Sequence, residues 1–323
     1  MRAVIVEKYG NPEVLQIQKI EKPLPKSNEV LIKIKATSIT AASGFMREGK
    51  PYLGRLFLGL TRPKVKTPGT DLSGIIEAIG SDVKNFNVGE EVIAETELNC
   101  GTYAEYICLS FDELIVKKPN NVSHEEATGI IDGACTALAF LTEQVKIKEG
   151  QKILINGASG SIGTAAIQLA KQFGAEVTGI CSAKNKALVK DIGADKVLDY
   201  KKRELQKSYE LFDVIFDTVG KLSYSNAKKN LKPNGVYLTP VMDFSTLLSL
   251  LFVSPFSKKK LKFCATGMRK QELRMKDLIQ VKDLIKEEKI SPVMDRVYPF
   301  EQIQEAHSYV DTGRKRGNVV VRF

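Results

Sequence analysis

Residues 152–175, KILINGASGSIGTAAIQLAKQFGA, constrain this chain more than any other stretch. They open on the apolar β-type run Ile153-Leu154-Ile155 and turn through Gly157-Ala158-Ser159-Gly160-Ser161-Ile162-Gly163. A helical pattern follows, with Ile162, Ala166, Leu169, Ala170 and Phe173 on one face. Strand, glycine turn and helix, in that order, is the setting in which a glycine motif binds a dinucleotide. Gly160 lets the backbone approach a pyrophosphate, and Gly163 lets the helix pack close to the strand. The free N–H groups and positive dipole end of the helix then face the phosphates. The usual spelling is GxGxxG, and Ala158 stands at its first glycine. Further strand patterns continue the unit at 176–180, at 196–200, and at 212–217 leading to Gly220. A tight strand–helix turn without a ligand is the competing reading.

This alternation runs to about residue 267, which predicts a doubly wound parallel sheet. Lys232-Pro233-Asn234-Gly235 reads as a turn before a strand at 236–239, and 261–265 as a last strand. Upstream the texture differs. Residues 1–124 are β-rich, with expected strands at 3–7, 15–19, 29–38, 71–79, 91–94, 104–109 and 114–117. Glu29-Val30-Leu31-Ile32-Lys33-Ile34-Lys35 alternates, so one face is buried and the other wet. Pro23, Pro25, Pro68-Gly69 and Val88-Gly89 punctuate this half, and short strands so broken predict a partly open barrel. Ser123-His124-Glu125-Glu126 spells a capping box and opens a helix-rich stretch. Residues 271–288 form an amphipathic helix striped by Leu273, Leu278, Val281, Leu284 and Ile285. An extended stretch at 290–300, a short helix at 303–310 and a final strand at 317–323 complete the chain. These last strands are expected to rejoin the N-terminal half, because the nucleotide sheet is already full.

At 323 residues, 43% hydrophobic and 27% charged, the composition is that of ordinary globular material in about two domains. No stretch approaches ~20 apolar residues. Met1-Arg2-Ala3-Val4-Ile5-Val6-Glu7 reads as a strand rather than a signal peptide, so a cytoplasmic protein is expected. Cys100, Cys108, Cys135, Cys181 and Cys264 are odd in number and show no CxxC spacing, which indicates neither a disulfide frame nor a zinc finger. The net charge is +10. The basic residues read as widely spread, with small clusters at 258–260 and 314–316 and no aromatic-interleaved basic motif. A solvated basic surface, partly serving a polyanionic cofactor, is expected ahead of nucleic-acid binding. Residues 244–256 contain Leu247-Leu248-Ser249-Leu250-Leu251-Phe252-Val253 and are too short to span a bilayer. A lid over an apolar pocket, a subunit contact, a core helix and, with Lys258-Lys259-Lys260, an interfacial anchor are the readings open for them.

Several pieces in a set order carry a family resemblance: Pro68-Gly69-Thr70-Asp71-Leu72-Ser73-Gly74, Val88-Gly89-Glu90-Glu91-Val92, Gly101-Thr102-Tyr103-Ala104-Glu105-Tyr106 and Ala134-Cys135-Thr136-Ala137-Leu138. NGASGSIG, 195–200, Asp217-Thr218-Val219-Gly220 and Arg316-Gly317-Asn318-Val319-Val320 extend it to the end of the chain. Together they resemble the medium-chain dehydrogenase/reductase superfamily, and more closely its zinc-independent quinone oxidoreductase branch, the zeta-crystallin-like and alkenal-reductase-like proteins. The resemblance implies an α/β protein: a GroES-like partly open β-barrel catalytic domain (1–124 and 268–323) and a Rossmann doubly wound parallel sheet (125–267). It also implies an active site in the cleft between the two, and a homodimer through the Rossmann sheet edge at 261–265. Zinc-dependent relatives take a Cys near the third strand and a GHE motif. Here those positions read Ser38-Ile39-Thr40 and Gly69-Thr70-Asp71, and only Cys100 lies where a four-Cys lobe would be. A catalytic zinc needs about three protein ligands, and the two histidines, His124 and His307, read as structural. No metal is expected.

An acid usually ends the second Rossmann strand when NAD is the cofactor. Here the run is Ile180-Cys181-Ser182-Ala183-Lys184-Asn185-Lys186, with a hydroxyl and two lysines, which favours a 2′-phosphate. The resemblance implies that Lys184 and Tyr200 hold that phosphate, so NADPH is expected. Thr136, Ala158, Ser159, Gly160, Ser161, Ile162, Gly163, Ser182, Val219, Thr239, Pro240, Val241 and Asn318 are the remaining cofactor candidates. With neither metal nor flavin motif, the chemistry left is hydride transfer to an already electrophilic acceptor, a quinone or an α,β-unsaturated carbonyl; a simple ketone would call for zinc. Thr40 and Phe45 stand where many members carry Asn and Tyr, and Ser43 where they carry Asp. Thr40, Tyr52 and Thr136 are the candidates for positioning substrate, with Tyr52 standing in for the missing phenol and solvent as the other proton source. Competing functions are an enoyl-thioester reductase served by the basic surface, and a non-catalytic NADPH-binding sensor or RNA-binding protein.

Overall fold

The computed structural model describes residues 1–50, 52–96 and 99–323. They divide into two compact units. One comprises Met1–Asp132, Gly267–Glu287 and Pro292–Phe323; the other comprises Gly133–Thr266 and Glu288–Ser291. The division falls inside the helix His124–Ala139 rather than ahead of it, because this helix runs on unbroken for 16 residues from its cap. The expected capping box forms there: the Ser123 hydroxyl accepts from the Glu126 N–H at 3.1 Å and the Glu126 carboxylate accepts from the Ser123 N–H at 2.9 Å.

The first unit is built on strands β1 (Arg2–Ile5), β2 (Gln16–Lys19), β3 (Glu29–Ser38), β4 (Asp71–Ile79), β5 (Glu91–Glu95), β6 (Tyr106–Ser110) and β7 (Leu114–Lys117). All seven lie within a residue or two of where alternation and turn residues put them. β3 is the spine, pairing antiparallel with β4 on one side and with both β6 and the C-terminal strand on the other. Its alternation buries Val30, Ile32 and Ile34 against Leu72, Ile76, Val92 and Ile115, while Lys33 faces solvent. A second core gathers Val4, Leu15, Ile39, Tyr103, Phe300, Ile303 and Val319. One face of the helix Gln271–Lys286 buries Leu278, Val281 and Ile285 as expected. Leu273, however, is exposed, and Arg274 and Asp277 take its place in the interior because each has a charged partner, Glu95 and Arg269.

The second unit carries β8 (Lys152–Asn156), β9 (Glu176–Cys181), β10 (Lys196–Asp199), β11 (Phe212–Asp217), β12 (Leu231–Thr239) and β13 (Lys260–Phe263). They form one parallel sheet in the order β10-β9-β8-β11-β12-β13. Lys232-Pro233-Asn234-Gly235 does not precede β12 but lies inside it: Leu231 already pairs with Phe212, and the register then slips around Asn234, whose φ is +64°. The final strands, β14 (Met294–Pro299) and β15 (Asn318–Arg322), leave this sheet and join β3 of the first unit, as a full nucleotide sheet requires. The two units are thus a GroES-like β-unit with an open sheet edge and a doubly wound Rossmann-like sheet.

Candidate functional site

At the C-terminal edge of the parallel sheet the chain turns out of β8 at Gly157, whose φ is +79°. This is the position where only glycine is comfortable; a Cβ there would also meet the Thr218 hydroxyl and Val219 at 2.6 Å. The departure at Ala158 is therefore harmless to the turn, because the left-handed residue is the one before it. Ala158 is buried, its N–H bonded to the Ile180 carbonyl at 3.0 Å. Room for its methyl comes from Gly179 in β9, where a Cβ would stand 3.0 Å from that of Ala158. Gly163 lies against the turn: a Cβ there would overlap the Gly157 carbonyl oxygen and approach Ala158 Cα to 2.8 Å. Gly160 is different, since its Cβ would meet nothing closer than 3.4 Å. Nothing in the protein demands glycine there, which leaves the space above it for something else.

The helix Ser161–Gln172 starts at this point with Gly160 as N-cap and no side chain capping it, so the first-turn N–H groups are available to an anion. Beside it, the Asn185 amide donates to the Ser159 hydroxyl at 2.9 Å, while Asn185 Oδ1 is buried and lacks a partner among the described residues. A buried amide oxygen left in this way calls for a donor from outside the chain. Asn185 read from sequence only as part of a lysine-rich run; a polar residue four places past the strand end at Cys181 was its one signal.

The register of the sheet gathers the other candidates. Cys181 pairs with Asp199, so Ser182, Lys184 and Tyr200 leave neighbouring strands on the same edge. Lys184 is exposed and has no carboxylate partner among the described residues, whereas Lys186 lies 3.5 Å from Glu204. Tyr200 is more than half exposed. The loop after β11 is held by Asp217, a fully buried carboxylate that accepts from Asn156 Nδ2, the N–H groups of Val219, Gly220 and Leu222, and the Tyr237 hydroxyl, all at 2.8–3.2 Å. Burial raises its pKa, opposed by those donors. That cluster, absent from the sequence reading, fixes exposed Val219 beside Gly157. Past β12, the Thr239 hydroxyl accepts from the Val241 N–H at 3.1 Å and so turns Pro240 and Val241 along the same edge. The Thr136 hydroxyl lies 3.2 Å from that of Thr266 just past β13. All the candidates in this unit therefore converge on one edge of one sheet, where open α/β sheets bind ligands.

The candidates in the first unit have other work. Thr40 is the N-cap of the helix Ala41–Glu48: its Oγ1 accepts from the Ser43 N–H at 3.1 Å and the Ser43 hydroxyl accepts from the Thr40 N–H at 3.3 Å. The two departures, at 40 and 43, are thus one reciprocal capping box. Tyr52 is exposed, with the Arg55 guanidinium 4.9 Å from its ring. Asn318 is buried and donates to the Val293 carbonyl at 3.1 Å.

Both histidines are structural. His307 Nδ1 accepts from Arg47 at 3.0 Å, so its Nε2–H points to the Tyr103 hydroxyl at 3.2 Å. Burial, then the Arg47 charge, pushes His307 down to about 3. His124 bonds the Ser73 hydroxyl at 2.7 Å.

An alcohol dehydrogenase GroES-like domain model matches residues 26–120, and a zinc-binding dehydrogenase model matches 192–321. The chain is 34% identical to mouse mitochondrial NAD(P)H oxidoreductase RTN4IP1, over 99% of this chain and 89% of that one. It is 32% identical to a chloroplast envelope quinone oxidoreductase homolog of Arabidopsis thaliana, over 99% and 98%. The solved quinone oxidoreductase of Coxiella burnetii superimposes with a TM-score of 0.88 at 27% identity, covering 100% and 99%. The chain belongs to the medium-chain dehydrogenase/reductase superfamily. Within it, the chain falls among the quinone oxidoreductases.

A zinc ion does not suit the residues present where the superfamily's metal ligands would lie. Thr40 is engaged as a helix cap, and Thr70 replaces a histidine. Asp71 is fully buried, and its carboxylate already accepts from the Ser38 N–H at 2.8 Å, the Ser38 hydroxyl and the Thr128 hydroxyl at 3.2 Å. Burial raises it to about 6, and its oxygens are already engaged by these donors. No cluster of three or more His, Cys, Asp or Glu able to hold a metal occurs among the described residues.

Proposed function

We propose that this oxidoreductase carries a hydride from NADPH to a quinone or an α,β-unsaturated carbonyl, without a metal. The observation behind the cofactor is the sheet edge itself: an uncapped helix N-terminus, a glycine whose Cβ would meet nothing closer than 3.4 Å, and a buried amide oxygen without a partner among the described residues. In this reading the Ser161, Ile162 and Gly163 N–H groups and the Ser159 hydroxyl hold the pyrophosphate. Asn185 Oδ1 accepts from a sugar hydroxyl. Lys184, unpaired by any described carboxylate, meets the 2′-phosphate with Ser182 and Tyr200. Val219, Thr239, Pro240 and Val241 line the path to the ring, and Thr136 lies at its end. The bound dihydronicotinamide supplies the hydride. The chain contributes position, a dry wall and fixed dipoles. An acceptor polarised in its own right needs no Lewis acid, which agrees with the poor ligand set at Thr40, Thr70 and Asp71. Thr40 and Tyr52 remain positioning candidates, with solvent supplying the proton. A homodimer in the cytoplasm completes the proposal. Among the described residues no helix is long and apolar enough to cross a membrane.

Titration with NADPH and NADH tests this directly. NADPH is expected to bind at least tenfold more tightly, and Lys184→Glu to remove that preference, since a charge-assisted contact contributes about 1.5–3 kcal/mol. An unchanged preference in the variant would remove Lys184 from the site.

A further inference from the structure

The exposed apolar side chains of 244–256, Phe244, Phe252 and Phe256 among them, contradict a core helix there. That segment is tied to β13, the expected subunit edge, by the Ser254 hydroxyl, which accepts from the Leu261 N–H at 2.8 Å. The charged groups still without a role lie in the first unit. There the helix His124–Ala139 packs closely on β14 and β15: a Cβ at Gly129 would stand 2.9 Å from Met294 Sδ and 3.3 Å from Asn318 Cβ. Asp132 follows Gly129 by three residues and so extends from the same helix face. Its carboxylate feels the charge of Lys315, in the loop that leads into β15.

Lys315 is half-buried and folds back on its own loop, where Nζ donates to the Gly317 carbonyl at 2.9 Å. That is its one hydrogen bond among the described residues, and an ammonium has three donors. Asp295, an acid near it in β14, is already engaged: it accepts from the Tyr309 hydroxyl at 2.7 Å and the Arg316 N–H at 2.8 Å, with the Arg316 guanidinium 3.8 Å away. Asp132 is also half-buried, and it makes neither a hydrogen bond nor an ion pair among the described residues. Burial lowers Lys315 to about 8, opposed by Asp132 and then Asp295, and burial raises Asp132, opposed by Lys315. Asp71 and Glu95, both raised chiefly by burial, also feel the charge of Asp132, and Glu95 is paired with Arg274. A cation and an anion that served structure alone would close onto each other, because buried charges held apart cost more than the same charges in contact. Here no bond joins them, and the ammonium keeps donors for an oxygen from outside the chain. Thr136, at the nicotinamide end in the proposed reading, follows Asp132 by four residues, one turn along the same helix face.

We propose that Lys315 is the proton donor of the reaction, its ammonium bonding the carbonyl oxygen of the acceptor while Asp132 keeps it charged; the proposal rests on the hydride-transfer reading above. As hydride reaches the acceptor and NADPH is oxidised to NADP+, an electron pair moves onto that oxygen. The Lys315 N–H bond breaks and an O–H bond forms, giving an enol or a hydroquinone. Solvent then restores the ammonium, so water remains the source of the proton. A group placed in this way acts twice, by setting a positive charge against the developing oxyanion and by giving up its proton to it.

The test follows kcat with pH for cyclohexenone and benzoquinone, beside NADPH titration of each variant. In the parent, kcat should fall as pH rises through about 8, where Lys315 loses its proton. Lys315→Met should leave NADPH affinity unchanged, lower kcat about a hundredfold and remove that fall. Lys315→Arg keeps the charge but cannot release a proton, so KM should stay near that of the parent while kcat stays low and the fall is absent. Asp132→Asn withdraws the charge that supports the ammonium, so the fall should move to lower pH by about a unit. Binding of para-nitrophenol reads the same site without turnover, because its oxyanion is coloured and the neutral phenol is not. The parent should hold it as the phenolate below the pH at which the free phenol ionises, and Lys315→Met should not. Normal kcat in Lys315→Met, a pH profile that neither variant moves, or a phenolate signal that survives the loss of Lys315 would each overturn the assignment and leave the hydride reading standing. A parent that reduces neither acceptor yet shows the Lys315-dependent phenolate would contradict the hydride reading and uphold the oxygen site.

Discussion

Two glycines of one motif should fail in different ways. At Gly163 an added methyl overlaps the Gly157 carbonyl oxygen and comes within 2.8 Å of Ala158 Cα, both backbone atoms of the turn. Neither can swing aside as a side chain would, so the helix Ser161–Gln172 has to lift off β8 and β9. Overpacking of this kind costs about 1–3 kcal/mol, or a few degrees of Tm for each kcal/mol. At Gly160 the φ is −87°, which alanine adopts freely, and the nearest atom to the new methyl is 3.4 Å away. As an N-cap, the Gly160→Ala change should cost under about 1 kcal/mol of stability. The methyl would instead occupy the ground over which a pyrophosphate approaches the helix, and NADPH affinity should fall tenfold or more, about 1.4 kcal/mol. Differential scanning calorimetry and cofactor titration on both variants separate the cases. Gly163→Ala should lose Tm and affinity together; Gly160→Ala should lose affinity almost alone. A Gly160→Ala protein that binds NADPH as the parent does would refute the placement of phosphate on this turn. An unmoved Tm in Gly163→Ala would refute the close approach of helix and strand.

Thr40→Ala removes one half of the capping box and should cost about 1 kcal/mol, a loss of a few degrees in Tm, with no change in NADPH affinity. Asp217→Asn leaves the Leu222 N–H or the Tyr237 hydroxyl facing a donor, and should cost about 1–3 kcal/mol in urea unfolding and weaken cofactor binding through the Val219–Gly220 loop. His307 is neutral in the folded protein down to about 3 but protonates near 6.5 when unfolded. The unfolded chain thus binds the extra proton between those values, and stability falls as pH drops through that window. By pH 4 the loss from this group is on the order of 3 kcal/mol. The stability penalty of His307→Gln, measured by urea unfolding, should shrink accordingly between neutral pH and pH 4; a constant penalty would show that His307 is charged in the fold. Asp71, raised to about 6, acts with opposite sign, and because it is present in both the parent and His307→Gln its contribution cancels in the comparison.

The periodic parts of the fold were legible in the sequence. β3 alternates because one face is core, and β8, β9 and β11 are largely apolar runs because both faces are covered. The glycine turn was legible as a unit, though its key residue was not: the spelling points to position 158, while the left-handed φ lies at Gly157. Contacts between distant residues left no periodic mark. Gly179 compensates for Ala158 across two strands, Asp217 collects donors from three segments, and Asn185 turns back to Ser159. Thr40 and Ser43 read as two departures from a family pattern because their reciprocity appears only once the helix start is built. The exposed ridge at 244–256 could not be told from a core helix by hydropathy alone, since apolar residues fill every side of it. What distinguished it was its accessibility.

Hydride transfer without a metal is tested most directly by NADPH consumption in chelator-treated protein, supplied in turn with a quinone, an enone or enal, and a simple ketone. Turnover with the quinone or the unsaturated carbonyl, undiminished by chelation and absent with the ketone, is the expected result. Turnover that is restored only by added zinc, or that favours the simple ketone, would contradict it.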